Sequence, residues 1–173
     1  MDLTKQIKRK IALLGSHAVG KTSLISQFVE GRFPEKYLTT IGLKVDAKKV
    51  VLDGYELDLV VWDIAGQDDP TRIPHYYLNG CHGFIYVVDL SRASTYRNME
   101  VNLNLLQGII PQASRLIAGN KVDLLSSQEL ETVKSQTPLP LDFCTSAKTG
   151  ENVEALFDEL GRKLIHAYET TGA

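Results

Sequence analysis

The chain has 173 residues, 43% of them hydrophobic and 23% charged, which is ordinary for one globular domain with a well-buried core. Its 19 Lys and Arg against 21 Asp and Glu leave a net charge of −2, which argues against nucleic-acid binding through bulk positive charge. The two cysteines, Cys81 and Cys144, show no metal-ligand spacing, so neither a disulfide framework nor a cysteine-based zinc site is expected.

Short apolar runs alternate along the chain with longer amphipathic stretches. Strands are predicted at 10–14, 43–52, 55–62, 83–88, 115–119 and 139–144. Helices are predicted at 21–30, 95–110, 127–134 and 153–168. Asp53-Gly54 between two extended segments is a strong hairpin signal, so one strand is expected to be antiparallel. The alternation predicts an α/β fold, with a mostly parallel sheet and helices on both faces.

Residues 15–22 fit the phosphate-binding pattern G-x-x-x-x-G-K-[ST], directly after a predicted strand and before a predicted helix. Glycines let the backbone turn tightly, so that successive N–H groups point at phosphate oxygens. Lys21 supplies a cation for the terminal phosphates, and the Thr22 hydroxyl is a hard ligand suited to Mg²⁺. This context disfavours the alternative of a glycine-rich turn with a surface lysine. The nucleotide-binding residues predicted here are Gly15, Ser16, His17, Ala18, Val19, Gly20, Lys21, Thr22 and Ser23.

A second polar segment follows the predicted strand at 55–62. Asp63 could hold Mg²⁺ through a water molecule, and the N–H of Gly66 could reach a terminal phosphate. Gln67 could orient an attacking water. Taken alone, Asp63 could equally be an ordinary turn residue, and Gln67 could be an exposed amide side chain in a loop.

Two further segments follow later strands and suit a guanine base. The Asp123 carboxylate can accept the two N–H groups on the guanine edge, whereas adenine presents an acceptor there and would be rejected by ~10⁴–10⁵-fold in a buried site. The Lys121 stem can cover one face of the base, next to Asn120. The backbone of Ser146, Ala147 and Lys148 could contact the guanine oxygen, and the Lys148 side chain could lie along the base. Each segment alone is weak evidence for nucleotide binding. The occurrence of all of these segments in this order in one chain is highly specific.

Taken together, these segments resemble the Ras superfamily of small GTPases over about residues 7–168. Thr39-Thr40-Ile41-Gly42, 62–67 and 145–153 are similar to the Rab and Ras branches. The resemblance implies a P-loop GTPase (Ras-like) fold, with a six-stranded, mostly parallel sheet and five helices, in a single small GTPase domain at 1–173. It also implies two switch segments: switch I around Thr40, and switch II at about 65–79.

By this resemblance, Thr40 closes on Mg²⁺ and the γ-phosphate, Phe33 flanks the guanine, and Tyr37 lies over the phosphates. The implied cofactor is Mg²⁺, with GTP or GDP as the bound nucleotide. The implied metal residues are Thr22, Thr40 and Asp63, and the implied catalytic residues are Gln67 and Lys21. Hydrolysis is expected to be slow, because no arginine stands between Tyr37 and Thr40.

Three features depart from the family pattern. His17 stands where Ras proteins have glycine and Rab proteins usually a small residue, and Val45 stands where Rab proteins favour an aromatic. Pro70 and Pro74 stiffen switch II. His17 motivates an alternative, a GTP-binding module with negligible hydrolysis that acts as a constitutive scaffold. An ATP-dependent P-loop kinase is a second alternative, against which Asp123 argues.

The resemblance further implies a cytoplasmic monomer that partners recruit to membranes, with an exchange factor, a GTPase-activating protein and effector proteins as partners and no role for nucleic acid. No apolar run reaches the ~18 residues of a membrane span, and the first residues hold no signal-type apolar segment. No cysteine follows Cys144, so the prenylation box of Ras and Rab proteins is absent. Either the natural chain is longer, or this protein is not lipid-anchored at its C-terminus.

Overall fold

A computed structural model describes residues 4–172 of the chain. The predictions about a leader segment, a C-terminal prenylation box and the outer limits of the domain depend on 1–3 and 173, which lie outside the described residues. Six strands form one sheet in the order β2-β3-β1-β4-β5-β6. They are β1 (Lys5–Leu14), β2 (Leu43–Leu52), β3 (Tyr55–Ile64), β4 (Gly83–Asp89), β5 (Ser114–Asn120) and β6 (Phe143–Thr145).

Five α-helices lie within the described residues. They are α1 (Lys21–Glu30), α2 (His75–Leu78), α3 (Met99–Ile109), α4 (Ser127–Gln136) and α5 (Val153–Thr171). β2 pairs antiparallel with β3 through the predicted hairpin, and the other four strand pairings are parallel. The predicted α/β fold with a six-stranded sheet and five helices is confirmed.

Two strands, β1 and β6, have a boundary that differs from the prediction by more than two residues. β1 begins at Lys5 rather than at residue 10, because Lys5–Leu13 runs in continuous parallel register with Tyr55–Asp63. Sheet pairing thus extends the strand through a charged stretch that has little apolar character. β6 is confined to Phe143–Thr145, because the Asp142 side chain accepts a bond from the Ile117 amide at 2.7 Å just before it.

The side chains of the sheet alternate between two buried clusters. Ile11 and Leu13 face α1 and α5, where Phe28 stacks on Phe157 with ring centroids 3.9 Å apart. Ala12 and Leu14 belong to the opposite cluster, together with side chains of α3. Because both faces of the sheet are covered, a site can form only in the loops at the strand ends. In such sheets ligands bind outside the carboxyl ends of the parallel strands.

Candidate functional site

The predicted site residues occupy the loops at the carboxyl edge of the five parallel strands. The segment at 15–22 leaves β1 and enters α1, and the segment at 63–67 leaves β3. Asn120 ends β5, and residues 146–148 follow β6. The topology therefore gathers segments that are more than 100 residues apart in sequence.

The first loop has glycine where its path leaves no room for a side chain. Gly15 has a φ of +141°, and a Cβ there would collide with the Val87 carbonyl of β4. Gly20 has a φ of +102°, and a Cβ would collide with the Asn120 side-chain amide. The loop is thus pinned against the ends of β4 and β5.

Four carbonyls of this loop point toward side-chain donors. The Lys21 ammonium donates to Gly15 O at 3.1 Å and to Ser16 O at 2.9 Å. Lys121 Nζ donates to Ala18 O at 2.8 Å, and Asn120 Nδ2 donates to Val19 O at 3.0 Å. In a planar trans peptide the C=O and N–H point in opposite directions. The Ala18 and Val19 carbonyls are held by donors outside the cavity that Lys21 lines, so the N–H groups that follow them turn toward that cavity, which is the arrangement that binds anions.

Lys21 is buried at the floor of this loop, 6% exposed. Burial lowers the pKa of its ammonium to about 8, although the nearby carboxylates of Asp63 and Asp68 oppose the shift. A buried cation without a directly bonded carboxylate is poorly compensated. The site is therefore electrostatically prepared for an anion with several charges.

Three oxygen-bearing side chains meet beside Lys21. The hydroxyl oxygens of Thr22 and Thr40 lie 2.8 Å apart, and Thr22 donates to Asp63 Oδ2 at 2.6 Å. The other carboxylate oxygen, Asp63 Oδ1, is buried and has no hydrogen-bond partner among the described residues. Burial raises the pKa of Asp63, although the bond from Thr22 and the charge of Lys21 oppose the shift. Hydroxyl and carboxylate oxygens with one unsatisfied acceptor fit a Mg²⁺ ion.

The segment at 66–67 lies directly on the first loop. The Gln67 amide donates to Gly15 O at 3.2 Å. A Cβ on Gly66 would lie 2.5 Å from both the backbone nitrogen and the Cα of His17. The segment predicted as switch II thus starts in contact with the first loop, and His17 projects outward beside it, with its ring 6.3 Å from that of Tyr37.

A cavity of about 300 Å³ opens next to the first loop, between the segment that holds Phe33 and Tyr37 and the loops after β5 and β6. Its lining includes the predicted residues Phe33, Tyr37, Asn120, Lys121, Asp123, Ala147 and Lys148. Ser146 is fully buried and donates to Asp123 Oδ1 at 2.6 Å, which fixes the carboxylate at the cavity. The side-chain oxygen of Asn120 accepts bonds from Thr145 and from the Ala147 amide, so Asn120 ties three loops together.

The predicted site residues fall into groups according to where their side chains lie. Those that line the phosphate cavity are His17, Ala18, Gly20, Lys21, Thr22, Ser23, Tyr37, Thr40 and Gly66. Val19 and Ser146 are completely buried, so the former contributes backbone and the latter a supporting hydrogen bond. Gln67 is half-buried between Gly66 and Asp68, next to the loop to which its amide is bonded.

Sequence reasoning missed Asp89, the last residue of β4. Its buried carboxylate accepts from Lys121 Nζ at 2.8 Å and from the Ser91 hydroxyl at 2.6 Å. Burial alone would raise the pKa of Asp89, but hydrogen bonds from Lys121, Ser91 and Arg92 bring it below its usual range. The available signal was an acidic residue at the carboxyl end of a fully buried strand.

Three further predictions concern the cysteines, clusters of metal-binding side chains and membrane-spanning helices. Cys81 and Cys144 are free thiols. Between residues 4 and 172, no group of three or more His, Cys, Asp or Glu side chains could hold a metal ion. In the same range, no helix combines the length and apolar character that crossing a membrane requires.

The Ras family model matches residues 10–166 of the chain. The chain is 34% identical to the Ras-related protein RabJ of Dictyostelium discoideum, over 94% of this chain and 66% of RabJ. It is 32% identical to the Ras-related protein Rab-13 of Rattus norvegicus, over 90% of this chain and 79% of that protein. It is also 32% identical to the Ras-related protein RAB1BV of Beta vulgaris, over 90% of this chain and 75% of that protein. The chain thus spans from just under two thirds to about four fifths of these relatives.

Proposed function

Because the chain belongs to the Ras superfamily of small GTPases, with Rab-related proteins among its relatives, we propose that it is a Mg²⁺-dependent switch that binds GTP and GDP. In this proposal the chain hydrolyses GTP slowly to GDP and phosphate. The bound state is read by partners through switch I and switch II, which the γ-phosphate orders and hydrolysis releases.

The observation that carries the proposal is the cluster of Thr22 and Thr40, which line the phosphate cavity, with Asp63 directly behind them. Thr22 belongs to α1, Asp63 to β3 and Thr40 to switch I, and their oxygens meet within hydrogen-bond distance. Such a cluster links the phosphate loop to a movable segment. Mg²⁺, when bound there, would offset phosphate charge, and these three residues would hold it directly or through water.

The proposed hydrolysis depends on positioning and electrostatics rather than on a covalent step. Lys21 and the inward N–H groups of the phosphate loop would stabilise charge that develops on the phosphates. Gln67 would orient the attacking water next to the loop, since its backbone is already bonded to Gly15. No arginine lies between Tyr37 and Thr40, so a partner's arginine would be needed for the ~10³–10⁵-fold acceleration seen in this class of reaction.

Partner binding is proposed to use the exposed apolar side chains around the switches. Ile41 is 91% exposed and Leu38 is 77% exposed, and Tyr76 on α2 is also exposed. Apolar groups that face solvent next to a nucleotide-dependent segment favour contacts with an exchange factor, an activating protein or an effector. A cytoplasmic location, a monomeric state and recruitment to membranes by partners stay predictions.

A second candidate is a GTP-binding module with negligible hydrolysis. The outward side chain of His17 favours it, because the His17 backbone lies against Gly66 and the imidazole lies 6.3 Å from the Tyr37 ring. In this position it could keep a partner's arginine and the attacking water apart. Single-turnover phosphate release from GTP, with and without an activating protein, separates this candidate from the hydrolysing switch.

The test of the main proposal is displacement of a fluorescent GDP analogue from the purified chain. GTP should displace it, and ATP should be weaker by several orders of magnitude, since Asp123 faces the base cavity. Thr22→Asn should weaken GTP more than GDP, while Thr132→Asn on the exposed surface of α4 should change neither. Equal displacement by ATP, or a Thr22→Asn variant with unchanged GTP affinity and Mg²⁺ dependence, would contradict the proposal.

A further inference from the structure

The carbonyl of His17 is held by a residue outside all of the predicted motifs. Arg92, in the loop after β4, donates from Nη2 to His17 O at 2.8 Å. The two residues are 75 positions apart in sequence. With this bond, each of the five consecutive carbonyls from Gly15 to Val19 has a side-chain donor.

The Asp89 carboxylate binds the guanidinium of Arg92 and also the ammonium of Lys121. Arg92 Nε donates to Asp89 Oδ2 at 2.9 Å, and Lys121 Nζ reaches that oxygen at 2.8 Å. Asp89 is 1% exposed, and its other oxygen accepts from the Ser91 amide and hydroxyl. Thr95 Oγ1 also donates to the Arg92 carbonyl at 2.9 Å. Two different nitrogens of one rigid fork therefore bridge Asp89 and the phosphate loop, which a lysine ammonium could do only with a single nitrogen.

We propose that Arg92 is a positioning residue that holds the peptide between His17 and Ala18 and thereby slows release of the bound nucleotide. The inference rests on the proposed function, since it assigns a further residue to the same nucleotide site. The peptide is planar and trans, so holding the His17 carbonyl outward points the Ala18 N–H toward the phosphate cavity. Ala18 has a φ of +59°, a conformation that a non-glycine residue adopts only when its surroundings enforce it. Without Arg92 this peptide is free to rotate and one phosphate donor is lost for part of the time.

The test is the dissociation rate of a fluorescent GDP analogue, chased with excess GDP in saturating Mg²⁺. Arg92→Met keeps most of the unbranched stem of the side chain and removes both bonds. It should release the nucleotide roughly three- to tenfold faster, which is less than the full contribution of a charge-assisted hydrogen bond because the side chain is half-exposed. Arg92→Lys should fall between Arg92→Met and the unsubstituted chain. Arg97→Met, an exposed arginine in the same connection, is the matched control and should leave the rate unchanged.

A second readout separates a phosphate-loop effect from general loosening. The preference for GDP over IDP, which lacks the 2-amino group, reports on contacts at the base. It should be the same in Arg92→Met as in the unsubstituted chain, because neither bond of Arg92 involves Asp123 or Ser146, which form the carboxylate site for the 2-amino group. An equal release rate for Arg92→Met and Arg97→Met would overturn the inference, and so would a changed GDP to IDP preference. An unsubstituted chain that retains no GDP would instead overturn the proposed function.

If Arg92→Met does not fold, Arg92→Lys and Arg92→Gln take its place in the same assay. Thermal unfolding of each GDP-loaded variant shows which of them can be compared. Faster release in a variant whose unfolding temperature matches that of Arg97→Met supports the positioning role. Release at the rate of the control in such a variant contradicts it.

Discussion

Replacing Gly66 by alanine should uncouple nucleotide binding from hydrolysis. A Cβ at residue 66 would lie 2.5 Å from the His17 nitrogen and Cα and 2.7 Å from the Ser16 carbonyl carbon, all of which are backbone atoms. No side chain can rotate to make room, so one segment has to move. Ordinary contact begins at 3.4 Å, and the required displacement is therefore about 0.9 Å. The phosphate loop is held by several side-chain donors, so we expect switch II to be the segment that moves.

A shift of this size carries Gln67 away from the attacking water. Misplacement by ~1 Å can cost ~10²-fold in rate, so single-turnover GTP hydrolysis by Gly66→Ala should fall by up to about 10²-fold. GDP affinity should change little, because the base cavity and the carbonyl partners of the loop are untouched. Gly108→Ala on the exposed face of α3 is the matched control, since a Cβ there meets nothing within 4 Å. It should stabilise the chain by about 0.5–1 kcal/mol and leave hydrolysis unchanged. Normal hydrolysis by Gly66→Ala would refute the steric reasoning.

Three other predictions concern the base, the outward side chain of the loop and a buried thiol. Asp123→Asn should weaken GTP and favour xanthosine nucleotides, whose C2 oxygen accepts from the new amide; unchanged GTP affinity in a competition assay would remove Asp123 from the base site. His17→Gly should raise single-turnover hydrolysis by up to about 10²-fold, most clearly with an activating protein, because the imidazole no longer obstructs the approach of an arginine. Slower hydrolysis by His17→Gly than by the unsubstituted chain would show that the imidazole assists hydrolysis instead. Burial raises the pKa of the Cys81 thiol to about 11, so in a Cys144→Ser background labelling at pH 8 should be about 100-fold slower in the folded than in the unfolded chain; equal rates would contradict the burial.

Most of the site was predictable because its residues form local patterns. Gly15 and Asp63 directly follow apolar runs, and Asp123 lies in the loop after another one, and parallel strands bring such positions to one edge of the sheet. The sheet and four of the helices were predictable from periodicity for the same reason. Helix α2 was not, because its four residues are too few to show a helical period and Pro74 precedes them.

The distant partners of the loop carbonyls could not be predicted from local patterns. The donor to His17 O lies 75 residues away and the donor to Ala18 O lies 103 residues away. A surface arginine in a connecting loop has no distinguishing pattern until the fold places it next to a carbonyl. The extension of β1 to Lys5 is of the same kind, since pairing with β3 overrides the charged composition of the strand.

The phosphate loop contains residues that determine its backbone shape and one residue, His17, whose side chain faces solvent. Gly15 and Gly20 combine positive φ with neighbours that exclude a Cβ, so a side chain at either position would distort the loop itself. His17 has neither restriction: its φ is not positive, its carbonyl is held by Arg92, and its side chain is exposed. The backbone therefore keeps its N–H groups in place whatever side chain stands at residue 17. It follows that substitutions at 17 act on what approaches from outside, the water and a partner's arginine, and that hydrolysis responds to them more strongly than nucleotide retention does.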